Sequence, residues 1–315
     1  MEVSNDINFK ELVDFPIQER FLKLPIEKFM ALDDLIPIQP QIALINAIQD
    51  PQYRFVTGAL SRRTGKTTIA NTVAFLKWLE PNTKVLIISP NYSLSNISWN
   101  EQVRMINVHG VETIKMNSKD KEIEGSNGSL LKLASVTNAN SAVGRSYDLI
   151  LFDEAALDNK GEEAFNVCLR PTLDKMNSKA IFISTPRGHN YFHEFYMRGY
   201  STLPAHESWA SVHSTFLDNP RTQEKDILEA KANMSRAEFE QEYMASFNSF
   251  EGQIYEGFNF DECIKDLSQM DFTTDDLDTI MGIDPGYRDA TAGLIAHYDW
   301  KQEKYYIVWD YLEAE

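Results

Sequence analysis

Cysteine is nearly absent: Cys168 and Cys263 are the two in 315 residues. They lie far apart and without metal-ligand spacing, which excludes a disulfide scaffold and a cysteine-rich zinc site. Reduced, buried or neutral thiols of a cytoplasmic protein are the expectation. Positive charge is also scarce, with 30 Lys and Arg against 47 Asp and Glu and a formal net charge of −17. A generally basic nucleic-acid coat is thereby excluded, although a local basic patch or an acidic partner-binding face is not. No apolar run reaches membrane-spanning length; the strongest, Val85 to Pro90, is strand-sized, so no membrane partner is expected. The opening Met1-Glu-Val-Ser-Asn-Asp lacks the basic and apolar regions of a signal peptide. Internal repeats and low-complexity tracts are missing too. What is present is 43% hydrophobic, enough to bury a proper core in about two domains.

One further absence falls inside a motif. An apolar run from Phe55 ends at Leu60, and Ser61-Arg-Arg-Thr-Gly-Lys-Thr-Thr68 leads into a helix-forming segment, Ile69 to Leu79. A strand, a tight turn and a helix in this order make a phosphate-binding loop. The backbone N–H groups of Ser61, Arg62, Arg63, Thr64 and Gly65 would face the phosphates; Lys66 adds a point charge, and the Thr67 hydroxyl, followed by Thr68, can ligate Mg²⁺. The first glycine of G-x-x-x-x-G-K-[ST] would fall at position 60, which is Leu60. Upstream, Gln41 begins a helical pattern with Leu44, Ile45 and Ile48 on one face. Its amide could hold the edge of adenine, or it could be an ordinary helix start.

Beyond the loop, strand and helix signals alternate. Lys84 to Pro90, Leu149 to Phe152 and Lys179 to Pro186 read as buried parallel strands, each with a polar tip. The pattern is that of a doubly wound parallel sheet, with ligands outside the carboxyl ends of its strands. At one tip stand Asp153 and Glu154. The first can hold the Mg²⁺ shell with Thr67, and the second can orient and deprotonate a water in line with the γ-phosphate. Arg62, Arg63 and Arg145 are candidates for the positive charge that transfer requires, and Ser184 and Thr185 could sense the γ-phosphate. From Trp209 to Glu251 the chain reads as largely helical. An acidic stretch follows, then Gly282-Ile-Asp-Pro-Gly286, where Asp284 on an apolar strand has the look of a first ligand in two-metal phosphodiester chemistry.

Taken together, these residues resemble the large terminase subunit of tailed bacteriophages. The resemblance rests on the loop without its first glycine, on Leu149-Ile-Leu-Phe-Asp-Glu-Ala155, and on Ser184-Thr-Pro-Arg-Gly188. Asp218-Asn-Pro220, Phe239-Glu-Gln-Glu-Tyr-Met-Ala-Ser-Phe247 and Gly282-Ile-Asp-Pro-Gly286 extend it. It implies an α/β P-loop NTPase fold with an additional-strand parallel sheet sandwiched by helices, plus the first strands of a ribonuclease-H-like domain. The expected boundaries are 1–255 for the ATPase domain, 256–279 for an acidic linker and 280–315 for an incomplete nuclease domain. Carried over, Gln41 reads adenine, Arg62 is the cis arginine finger, and Lys66 and Thr67 bind phosphate and Mg²⁺. Asp153 becomes the Mg²⁺-shell acid, Glu154 the catalytic base, Thr185 part of the coupling motif, and Asp284 the first nuclease ligand for Mn²⁺ or Mg²⁺. The implied function is an ATP-driven motor that moves double-stranded DNA into a prohead. Its implied partners are the portal protein, the small terminase subunit and further copies in a ring of five, in the host cytoplasm. With the nuclease cut short, DNA cleavage by this polypeptide alone is not expected. A helicase-like ATPase is disfavoured by the absence of an arginine-bearing second motor domain. A non-catalytic docking platform is disfavoured by intact Lys66, Thr67, Asp153 and Glu154.

Overall fold

The computed structural model describes residues 17–247, 277–284, 291–301 and 303–313. The chain gathers into two compact units, Met1–Glu251 and Gly252–Glu315. Cys263 and residues 256–276 of the expected acidic linker lie outside the described residues.

The first unit is built on an eight-stranded sheet. In chain order its strands are β1 (Phe55–Leu60), β2 (Lys84–Ser89), β3 (Thr113–Asn117) and β4 (Glu122–Gly125). These are followed by β5 (Leu130–Ser135), β6 (Leu149–Asp153), β7 (Lys179–Ser184) and β8 (Trp209–Ser214). The spatial order is β3-β4-β5-β2-β6-β7-β1-β8. Pairings from β5 through β8 are all parallel, and only the β3–β4–β5 edge is antiparallel. Every residue of β1 and β6 is buried, as a strand covered on both faces requires. Strand β7 lies between β1 and β6, so one additional strand separates the phosphate-loop strand from the strand that ends in the acid pair.

Alternate residues of these strands feed two cores. Val56, Leu60, Val85, Ile87, Leu149, Leu151, Ile181 and Ile183 face one side. There they pack against α3 (Gln39–Gln49), α4 (Lys66–Leu79) and α5 (Tyr92–His109), with α1 (Ile17–Leu22) and α2 (Ile26–Ala31) adding Phe21, Phe29 and Met30. Phe55, Leu86, Ile88, Ile150, Phe152 and Phe182 face the other side. They meet the short helix α6 (Gly161–Glu163), the π-helical Ala164–Leu169 that continues it, and α7 (Tyr191–Arg198). The period-two alternation thus places one sheet between two helical layers. Helices α8 (Glu224–Asn233) and α9 (Arg236–Met244) close the unit, with Ile227, Ala230 and Phe239 as a small core of their own.

The region after Trp209 departs from the helical expectation. Trp209–Ser214 is an edge strand that pairs with β1 in register from Phe55↔Trp209 to Leu60↔Ser214. An edge strand needs only one well-buried side; here Trp209 and Ser214 are buried while the residues between are half-buried or exposed. That leaves a weak alternation in Trp-Ala-Ser-Val-His-Ser, easily lost beside the helical pattern that follows.

In the second unit β9 (Asp278–Asp284), β10 (Thr291–Asp299) and β11 (Lys304–Glu313) form an antiparallel sheet in the order β11-β10-β9.

The second core of the first unit is an aromatic cluster centred on Phe182. Its ring lies 5.0 Å from Phe152, 4.9 Å from Phe165 and 5.0 Å from Phe195 by centroids. Phe182 is fully buried on β7, the strand that carries Thr185 at its tip. Phe182→Ala should destabilise the protein by ~3–5 kcal/mol. Urea unfolding measures it, and a loss below about 1 kcal/mol would mean the cluster repacks around the cavity.

Candidate functional site

The phosphate-binding loop begins as a continuation of the sheet. Ser61 N–H donates to Ser214 O at 3.0 Å, extending the β1–β8 ladder, and Arg62 N–H donates to Glu242 O on α9 at 2.8 Å. Leu60 is fully buried strand, so position 60 needs no glycine. The left-handed residues come later, at Arg63 (φ 62°) and Gly65 (φ 72°). Gly65 is required twice over: its φ is one that side chains rarely adopt, and a Cβ there would sit 2.4 Å from Gln41 Nε2.

Two amide side chains brace the loop from outside. Gln41 Nε2 donates to Thr64 O at 2.9 Å, while its Oε1 accepts from Ile38 N–H at 2.9 Å. Each end of that amide retains one unused bonding direction, so bracing the loop leaves it able to meet a base. Asn219 Nδ2 donates to Arg63 O at 3.0 Å. Gln41, Arg63, Thr64, Gly65, Thr68, Asn219 and Arg221 share a small cleft of about 90 Å³ beside the loop.

On the other side of the loop the chemical groups converge at the carboxyl ends of β1, β7 and β6. Lys66 is buried, and its Nζ donates to Thr185 Oγ1 at 2.9 Å and to Ser61 O at 3.2 Å. Glu154 Oε1 is 4.0 Å from the same ammonium. Thr67 Oγ1 donates to Asp153 Oδ1 at 3.4 Å, and Ser184 Oγ donates to Glu154 Oε2 at 3.3 Å. Arg62, Arg63, Gly65, Lys66, Thr67, Thr68 and Glu154 line an open cleft of about 380 Å³. Glu154 adopts φ 54°, a left-handed conformation that turns its side chain off the strand tip at a cost in backbone energy.

The electrostatics follow from burial. Asp153 is 6% exposed, and desolvation, aided by the neighbouring charge of Glu154, pushes its carboxyl up to about 7. Thr67 and Lys66 pull the other way but do not win. Lys66 is lowered from the ordinary lysine range, again chiefly by burial, although Glu154, Asp153 and Glu242 all favour its charged form. The site therefore holds a buried acid that is hard to ionise unless further positive charge arrives.

Of the three candidate arginines, Arg62 and Arg63 line the cleft and Arg145 does not. Arg62, at the cleft, is paired with Glu242, Nε to Oε2 at 2.9 Å, with 61% of its side chain exposed. Arg187 approaches the other oxygen of the same carboxylate at 2.8 Å, and Glu242 itself is buried. Arg63 is exposed and only loosely paired with Asp226, at 3.7 Å. Arg145 is engaged by Glu122 at 2.7 Å, beside Lys132, and does not line the cleft around Lys66. Sequence reasoning places Glu242 and Asn219 within motifs but gives neither a role at the loop. Both are 150 residues or more from the loop they touch. Nothing in their local sequence marks that contact.

Two other places carry less chemistry. Asp284 ends β9 and is exposed, and among the described residues no cluster of three His, Cys, Asp or Glu side chains could hold a metal ion. A cavity of about 430 Å³ lies at the opposite, amino-terminal ends of the strands, lined by Phe21, Ile48, Val73 and Leu149 among others. Its charged groups are already engaged: Arg54 with Ser178 O, Lys77 with Glu80, and Lys179 with the carbonyls of Ile48 and Asp50.

Known proteins share sequence and fold with this chain. Residues 58–262 match the family model described as terminase large subunit, T4likevirus-type, N-terminal. Over its whole length the chain is 52% identical to the terminase large subunit of Escherichia phage T5, of which it spans 72%. Among solved structures, the large terminase ATPase domain of Thermus phage P74-26 superposes with a TM-score of 0.60. That likeness covers 70% of this chain and 98% of that one at 22% identity. The large terminase of bacteriophage D6E in complex with ADP superposes with a TM-score of 0.54, at 13% identity over 88% of this chain and 68% of that one.

The raised carboxyl of Asp153 makes a prediction about stability. An acid whose folded value, about 7, exceeds its ordinary 3.8 destabilises the fold increasingly as pH rises between those values, and by a constant amount above them. Asp153→Asn removes that burden. The nucleotide-free variant should therefore melt higher than the wild type at about pH 8, by at most roughly 4 kcal/mol. The advantage should shrink steadily toward about pH 4. Thermal melting across that range checks it, and an advantage independent of pH would contradict the assignment.

Proposed function

Because the chain belongs to the terminase large-subunit family, we propose that it is the ATP-hydrolysing motor subunit that drives double-stranded DNA into a viral prohead. The observation that carries this reading is the meeting of Lys66, Thr67, Asp153, Glu154 and Thr185 at the tips of neighbouring parallel strands. In it, Lys66 binds the β- and γ-phosphates, displacing its present bond to Thr185 toward them. Glu154 orients and deprotonates the attacking water, and its left-handed backbone aims the carboxylate away from the strand. Thr185, at the end of β7, registers whether Lys66 is engaged with phosphate, because one ammonium serves both.

Magnesium fits the residues at hand. Thr67 and Asp153 offer two hard oxygens side by side, and the buried carboxyl is raised for want of positive charge. When bound, the ion supplies positive charge to the phosphate oxygens. Arg62 is the loop arginine best placed to act on the γ-phosphate in cis, and it must first leave Glu242. Arg187 remains on that carboxylate when it does, so the buried charge is not stranded. Gln41 meets the base with the unused edges of its amide.

Beyond the site, the family suggests a ring of five copies on the portal protein, with DNA delivered by the small terminase subunit in the host cytoplasm. A chain with net charge −17 would grip DNA through few phosphate contacts, and binding should be weak and salt-sensitive. Within 280–315 we place the opening strands of a ribonuclease-H-like nuclease, with Asp284 as a ligand for Mn²⁺ or Mg²⁺.

Glu154→Gln tests the central assignment. DNA-stimulated ATP turnover should fall at least ~100-fold, while affinity for ATP stays close to that of the wild type. Turnover near wild-type levels would remove Glu154 as the base.

A further inference from the structure

The loop holds an arginine in a conformation that arginine disfavours. Arg63 at φ 62° costs ~1–2 kcal/mol, and such a residue persists only where its surroundings determine it. The Arg63 carbonyl is held by Asn219. Its Nδ2 donates to Arg63 O at 3.0 Å, and its Oδ1 accepts Arg221 N–H at 3.0 Å. The turn that carries Asn219 is itself ordered: Thr215 N–H donates to Asp218 Oδ2 at 2.8 Å, and Leu217 N–H donates to Thr215 Oγ1 at 3.2 Å. Asn219 is thus a fixed donor presented to one peptide of the phosphate-binding loop.

Peptide geometry turns that contact into a function. In a planar trans peptide the C=O and N–H point in opposite directions. Drawing the Arg63 carbonyl outward to Asn219 therefore turns Thr64 N–H to the opposite side. Gln41 does the same one residue later, drawing out Thr64 O and so turning Gly65 N–H. Among the described residues neither N–H has a protein acceptor, as expected of donors reserved for an anion.

We propose that Asn219 is a positioning residue of the nucleotide site, which aims Thr64 N–H at the nucleotide phosphates by holding the Arg63–Thr64 peptide. The proposal rests on the reading of this loop as an ATP site. It gives Asp218-Asn219 a physical meaning: Asp218 orders the turn, and Asn219 reaches from it to the loop. Because the phosphates meet Thr64 N–H in the ground state and the transition state alike, Asn219 supports binding more than turnover.

Asn219→Asp is the discriminating variant. It keeps an acceptor for Arg221 N–H and almost the same shape, yet it replaces the donor facing Arg63 O with an oxygen. In the full chain, Kd and KM for Mg-ATP and Kd for Mg-ADP should rise about tenfold, with kcat at saturating ATP within about threefold of wild type. Asn219→Ala removes the donor without adding charge. It should weaken nucleotide binding likewise, and it covers the case in which Asn219→Asp does not fold. Unchanged Kd values in a wild-type background that binds ATP would overturn the proposal alone. A lower melting temperature and kcat at unchanged KM would also overturn it, by marking a merely structural role. A wild-type chain that binds no nucleotide would overturn both this proposal and the motor function.

Discussion

The ammonium of Lys66 is the contact on which the site depends. It is buried where charge is disfavoured, and it is held there by the hydroxyl of Thr185, a carbonyl of its own loop and the nearby carboxylates of Glu154 and Asp153. Through that one group the loop after β1 is joined to the tips of β7 and β6. Remove the positive charge and two acids would share a low-dielectric site with nothing to balance them. The strand order serves this contact. With β7 between β1 and β6, Thr185 stands between the loop and the acid pair rather than beyond either.

Much of this was legible in the sequence because it is local. A strand's full burial shows as an unbroken apolar run, as in Leu149 to Phe152, and a polar tip directly after it marks the carboxyl end of a parallel strand. The order of loop, acids and hydroxyls could therefore be read before any fold was known. Two local signals misled or fell short. The absent glycine at position 60 left open where the turn lies; Leu60 is still strand, and the left-handed residues fall at Arg63 and Gly65. Trp209–Ser214 read as part of a helical region because an edge strand buries too little to print a firm alternation.

The rest was not legible because it is distant. Asn219 reaches Arg63 across 156 residues, and Glu242 reaches Arg62 across a still longer separation. Neither contact has a spacing rule, since one depends on where the turn after β8 lies and the other on where α9 packs. The pairing of Arg62, expected as the cis arginine finger, is likewise a matter of a distant partner. One buried carboxylate collects both Arg62 and Arg187, and so ties the phosphate loop, the segment after β7 and α9 into one electrostatic unit.

These features share a physical character. Arg63 and Glu154 sit in left-handed backbone, Asp153 resists ionisation, and Glu242 is buried with two cations on it. Each is unfavourable in isolation, and Arg63 and Glu154 line the cleft proposed for the nucleotide. A cluster this strained can be held open only by a rigid frame. The fully covered strands and the aromatic packing around Phe182 supply one directly beneath Thr185. Ligand binding would then relieve energy already stored at the loop, so the free energy of binding and the stiffness of the core are linked. The Arg63 and Thr64 carbonyls are braced from the turn after β8 and from α3, while Ser61 O is met within the loop by Thr64 Oγ1 and Lys66 Nζ. A loop that satisfied all its own carbonyls would have no outward anchor, and its N–H groups could turn away from the phosphates without penalty.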